Sequence, residues 1–193
     1  PVISSVVEGS LTTDVDYQNS DTTLIIVWTG SDTASGISAY EYALGTASAD
    51  SNTVTWTSSG TDTAVILTNL TLDEDTTYYL SARATDVAGN LSALASGDGI
   101  TIDLTAPAGT TVNDGTGDDI SYTGSDTTLS ANWLAFTEDV SGVSHYEIGV
   151  DDGDGDYISW TFIGDTTTHT FTGLNLTNGT LYNVKVRAMD VAG

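Results

Sequence analysis

The chain has 193 residues, 39% of them hydrophobic, and it sets 27 acidic side chains against Arg83, Lys185 and Arg187 for a formal net charge of −24. So few cations cannot neutralise a run of phosphates, which excludes nucleic acid and an anionic membrane surface as partners. No apolar stretch reaches membrane-spanning length, and the absence of cysteine fits an exported bacterial protein and many cytosolic ones alike.

Thr, Ser, Val, Tyr and Gly dominate, a mixture that favours pleated strands and tight turns over helices. Period-two alternation marks the strands in order. Leu24, Ile26 and Trp28 share one face, then Tyr40, Tyr42 and Leu44, then Val65 and Leu67, then Tyr78, Leu80, Ala82 and Ala84. Trp56 falls on a strand between the second and third of these, and Gly99–Asp103 reads as a last strand.

Beyond Thr105-Ala106-Pro107 the series returns as Leu129, Ala131 and Trp133; Tyr146, Ile148 and Val150; Trp160; His169 and Phe171; and Tyr182, Val184, Val186 and Ala188. The echo extends to whole segments. Ser20-Asp21-Thr22-Thr23-Leu24 recurs as Ser125-Asp126-Thr127-Thr128-Leu129, and Arg83-Ala84-Thr85-Asp86-Val87-Ala88-Gly89 recurs as Arg187-Ala188-Met189-Asp190-Val191-Ala192-Gly193. A period of about 105 residues means whole domains in series, so the expected division is residues 1–105 and 106–193. The second copy stops at Gly193, where the first continues into its last strand, so the second module is expected to lack that strand. This suggests a fragment of a longer chain; alternatively a neighbouring chain donates the strand, beside Val184 and Val186.

These positions resemble the fibronectin type III module. The family's strand-B Trp, strand-C Tyr, the Leu before the corner, the strand-F Tyr and the Arg-Ala-x-Asp end are matched by Trp28, Tyr40, Leu70, Tyr78 and Arg83, and again by Trp133, Tyr146, Leu174, Tyr182 and Arg187. The resemblance covers nearly the whole chain and implies an all-β fold of two tandem antiparallel sandwiches joined by a short linker. The Ser-Gly-Ile and Ser-Gly-Val turns, Asp-Val-Ala-Gly-Asn and the Ile102–Pro107 joint look like those of repeats in large bacterial surface proteins. A joint this short, fixed by Pro107, predicts a stiff rod.

Catalytic signals are weak. His145 and His169 are the only histidines, and the first copy has hydrophobic or small residues in their places. No nucleophile elbow, zinc-protease helix or phosphate-binding glycine loop occurs, so no enzyme activity is expected.

Oxygen-rich loops suit calcium, a hard cation that takes 6–8 oxygen ligands. Such an ion at the joint would draw on Asp103, on Asp73, Glu74 and Asp75, and on Glu138, Asp139 and Asp190, with Asp32, Asp86 and Asn90 as a weaker set in the first copy. The competing reading makes Asp32, Asp86 and Asp190 turn formers that cap their own backbone amides. Asp151–Asp156 reads as a solvated hairpin, because Tyr157 stands where an EF-hand loop requires Gly. Glu41 with Arg83 and Glu147 with Arg187 are expected to pair across strands, while Trp56 and Trp160, on the middle strand, are a core lid or an exposed sugar platform, and their matched positions favour packing.

The expected role is a spacer in a bacterial adhesin or surface fibre, located at the cell surface or outside it. Its expected partners are neighbouring modules of the same parent chain and a cell-surface glycan or protein. The rival readings are a glycan- or protein-binding accessory module of a secreted enzyme, and a filament subunit assembled by strand donation.

Overall fold

The alternating runs form strands, and the computed structural model, which describes residues 1–138 and 140–193, contains no helix among them. The chain divides into two compact units, Pro1–Leu104 and Thr105–Val191.

The first unit contains β1 (Val2–Glu8), β2 (Tyr17–Gln18), β3 (Thr23–Ser31), β4 (Ile37–Gly45), β5 (Val54–Gly60), β6 (Ala64–Thr68), β7 (Thr77–Asp86), β8 (Ala95–Ser96) and β9 (Ile100–Ile102). One sheet runs β1-β3-β6; the other runs β2-β9-β7-β4-β5, with β8 also on β7. Pairing is antiparallel throughout except between β2 and β9.

The second unit contains β10 (Val112–Asp114), β11 (Thr128–Trp133), β12 (Val143–Asp151), β13 (Asp156–Gly164), β14 (Thr168–Thr172) and β15 (Asn183–Asp190), in sheets β10-β11-β14 and β13-β12-β15. It thus repeats β1, β3, β4, β5, β6 and β7 in order. Among the described residues it has no counterpart of β2, β8 or β9.

Each core is organised by a tryptophan. Trp28 is fully buried, its ring 6.1 Å from that of Tyr40 and 5.9 Å from that of Tyr42. Leu24, Ile26, Leu44, Leu80, Ile100 and Ile102 complete the layer between the sheets. In the second unit Trp133 meets Tyr146 edge-on at 5.7 Å, and Phe136 packs on the same tyrosine at 5.5 Å. The strand-F tyrosines tie down the preceding loops, Tyr78 Oη accepting the Asp73 amide at 2.9 Å and Tyr182 Oη the Thr177 amide at 3.0 Å.

A ladder of side chains recurs on the outer face. Arg83 donates to Glu41 at 2.9 Å, and its guanidinium lies 4.2 Å above the Trp56 ring. Arg187 donates to Glu147 at 2.6 Å and stacks 4.5 Å above Trp160. The two tryptophans therefore lie on the edge strands β5 and β13, under arginines, and not on a middle strand or as a lid on the core. Partly exposed pairs and stacks of this kind contribute about 0.5–1 kcal/mol each.

Trp28 is the largest fully buried side chain of the first unit. Trp28→Ala is expected to destabilise that unit by about 3–5 kcal/mol, read as a lower urea midpoint with an unchanged slope.

Candidate functional site

The acidic loops hold their carboxylates by backbone amides. Asp32 Oδ2 accepts from Ala34 at 3.1 Å, Ser35 at 2.7 Å and Gly36 at 2.8 Å, while its Oδ1 is 3.2 Å from the amino terminus. The Ser35 and Gly36 amides lead in holding its carboxyl down at about 2. Asp86 accepts from both the backbone and side-chain nitrogens of Asn90 at 2.8 Å, which holds it below the usual range.

In the second unit Glu138 takes the part of Asp32, accepting from the Val140 and Gly142 amides, and Asp190 accepts from Gly193 at 2.7 Å. Asp139 lies outside the described residues. In the first unit the turn Asp73, Glu74 and Asp75 lies against the end of β9: Asp75 N donates to Ile102 O at 2.8 Å and Glu74 accepts from Leu104 N at 3.0 Å. Asp103 is buried beside it, its amide donating to Gln18 O at 3.0 Å. Asp151–Asp156 is the β12–β13 hairpin, closed by Asx turns at Asp151 and Asp152. Lys185 is held above its ordinary range, first by its hydrogen bond to Asp156 at 2.7 Å. His145 and His169 are half-buried against Phe162 and Phe171, at ring distances of 4.9 and 4.6 Å.

A different set of acids comes together at the end of β1. After a register shift between Ile3 and Ser5, Val6 and Glu8 face inward, and Glu8 is fully buried. Gly9 then turns with φ +87°, where an added Cβ would come within 2.1 Å of Val15. The loop folds back so that Asp14 Oδ1 accepts the Glu8 amide at 2.8 Å and Val15 N donates to Glu8 O at 3.2 Å.

The third member arises from a bulge. Three steps along β7, from Ser81 to Tyr78, face four steps from Ser96 to Ile100. The extra residue puts Asp98 between β8 and β9 and leaves the Leu80 amide to donate to Glu8 Oε1 at 3.2 Å. Glu8, Asp14 and Asp98 bring carboxylate oxygens within 4.8 Å of one another. Among the described residues, the acids singled out from the sequence form no such group of three.

The second unit repeats the device in part. Asp114 ends β10, Gly115 turns at φ +98°, the Asp114 amide donates to Asp119 Oδ1 at 3.0 Å, and Ile120 N returns to Asp114 O at 3.1 Å. Burial raises the Asp114 carboxyl, and Asp119 adds to the rise. Sequence reasoning missed both sites. The signal available was the echo of Glu8-Gly9 and Asp14-Val15 in Asp114-Gly115 and Asp119-Ile120. No local pattern announces Asp98, which arrives from the far end of the domain.

Burial pushes the Glu8 carboxyl up from 4.5 to about 7; the Leu80 amide opposes this and the charges of Asp14 and Asp98 reinforce it. A carboxyl raised in the folded state adds stability below its unfolded value, so in metal-free protein this contribution is full below about pH 4.5 and lost as pH rises through about 7. Glu8→Gln, neutral throughout, is expected to match the parent near pH 4 and exceed it by about 2–3 kcal/mol at pH 8 in chelator, measured by urea unfolding. Equal stability of the two at pH 8 would place Glu8 among ordinary solvated carboxylates.

No protein-family profile matches the chain. Exoglucanase B of Cellulomonas fimi is 33% identical over 132 residues, a stretch that covers 68% of this chain and 11% of that protein. The crystal structure of the chicken CNTN1 FN1-FN3 domains matches with a TM-score of 0.54 at 16% identity, over 100% of this chain and 63% of that one. At that identity the likeness speaks for the fold, and the fold is a tandem of fibronectin type III-like β-sandwiches.

Proposed function

We propose that the chain is a non-catalytic spacer in a secreted bacterial protein, holding other domains of its parent apart. The observation that carries this reading is what the two units share. The Trp-centred core, the tyrosine corner and the Glu-Arg-Trp ladder recur in both, and all of them stabilise the sandwich. The histidines do not recur: Ala39 and Val65 occupy their places in the first copy. A scaffold duplicated without a reactive group supplies length and surface.

The likeness to a segment of an exoglucanase favours a secreted glucan-cleaving enzyme as the parent over a surface adhesin or fibre. In that setting the neighbours of these modules are a catalytic domain and further repeats. The stacking of Arg187 on Trp160, which is only 36% exposed, argues against a flat sugar platform there.

Incubation with insoluble cellulose is expected to leave the chain in solution and to release no soluble sugar. Retention on cellulose that Trp56→Ala or Trp160→Ala abolishes would replace the spacer with a glycan-binding module. Sugar release would overturn the non-catalytic reading itself.

A further inference from the structure

Asp14 and Asp98 are exposed and Glu8 is fully buried, so their shared cluster has a closed floor and an open mouth. The floor carries a second observation. Glu8 Oε2 is buried and has no hydrogen-bond partner. A buried oxygen left in this state is costly, and folded proteins usually satisfy it. The chain also keeps the surrounding space free of side chain: a Cβ at Gly97 would come within 2.0 Å of Glu8 Oε1 and 2.1 Å of Oε2.

We propose that Glu8, Asp14 and Asp98 form a binding site for a hard divalent cation, calcium, with Glu8 as the buried ligand. The donors are all carboxylate oxygens, with none of the imidazole or thiolate ligands that softer metals select. Oxygens on opposite sides of a calcium ion stand about 4.6–5.2 Å apart, which accommodates a group whose members lie within 4.8 Å of one another. Calcium accepts irregular shells of 6–8 oxygens completed by water, whereas magnesium demands a near-ideal octahedron. The exposed mouth admits that water. The bound ion would supply the missing partner of Oε2 and offset the mutual repulsion of the three acids. It would also tie the end of β1, the loop after it and the β8–β9 bulge together, linking the two sheets of the first unit.

The test uses the 193-residue chain at pH 7.5, with calcium chloride as the probe. Binding is read by calorimetry. Thermal unfolding is compared in calcium and in chelator, at matched ionic strength so that general screening of the acidic surface cancels. Calcium is expected to bind and to raise the unfolding midpoint of the first unit by about 5 °C or more, with a smaller rise for magnesium.

Asp98→Asn, an exposed change outside the core, should lower calcium affinity at least ~10-fold, about 1.4 kcal/mol, and remove most of the shift. Glu8→Gln should do the same, while Asp73→Asn in the loop before β7 should leave both readouts intact. Absence of both heat and shift in the parent chain would mean that the three carboxylates hold no ion, and the proposal fails. It fails equally where calcium binds the parent but Asp98→Asn and Glu8→Gln bind it as well, since the ion then belongs to another acidic loop.

Discussion

In each unit an indole must be buried between two sheets, and the strands are arranged to meet that need. Trp28 and Trp133 lie at equivalent points of β3 and β11, each flanked edge-on by a tyrosine of the facing sheet. Such rings bury more apolar surface than any other side chain, and their geometry sets the spacing of the sheets around them. Once the tryptophan-bearing strand is placed, its alternation orients Leu24 and Ile26 inward, and the outer residues of the opposite sheet are free to form the Glu-Arg-Trp ladder. The loops are then spans between points already determined.

Within that frame, acids of similar chemistry end in opposite states. Asp32 receives three backbone amides and is held at about 2, whereas Glu8 receives the single Leu80 amide, loses its water and rises to about 7. The difference lies in the balance of hydrogen bonds against desolvation. A turn carboxylate such as Asp32 has its needs met by its own loop. Glu8 ends a strand pointing into the sandwich, beside two further acids, with one oxygen still unmatched. Among the described residues the acidic surface therefore combines structural carboxylates with one three-acid cluster of different character.

The duplication shows which features recur in both described units. Core, corner and ladder occur twice, as does the turn that brings Asp14 over Glu8 and Asp119 over Asp114. Asp98 belongs to the bulged strand opposite β7, an element without a counterpart among the described residues of the second unit. The complete three-acid cluster is therefore described only in the first.

Fold class was legible in the chain because strand burial repeats every two residues and the repeat supplied a second reading of the main strands. Trp28, Tyr40, Tyr42 and Leu80 are buried as their alternation implies, as are Trp133, Tyr146 and Ile148, while Val184, the echo of Leu80, is half-buried. The Glu41–Arg83 and Glu147–Arg187 pairs were legible for the same reason, being directly opposed on neighbouring strands. The acids of the loops were visible as a class, but whether each faced an amide, a cation or water depended on loop geometry that composition does not encode. Glu8, Asp14 and Asp98 met only in the folded chain. A one-residue bulge, invisible to a period-two pattern, moved Asp98 into place and freed the Leu80 amide, and contacts between residues so distant in sequence are settled by packing alone.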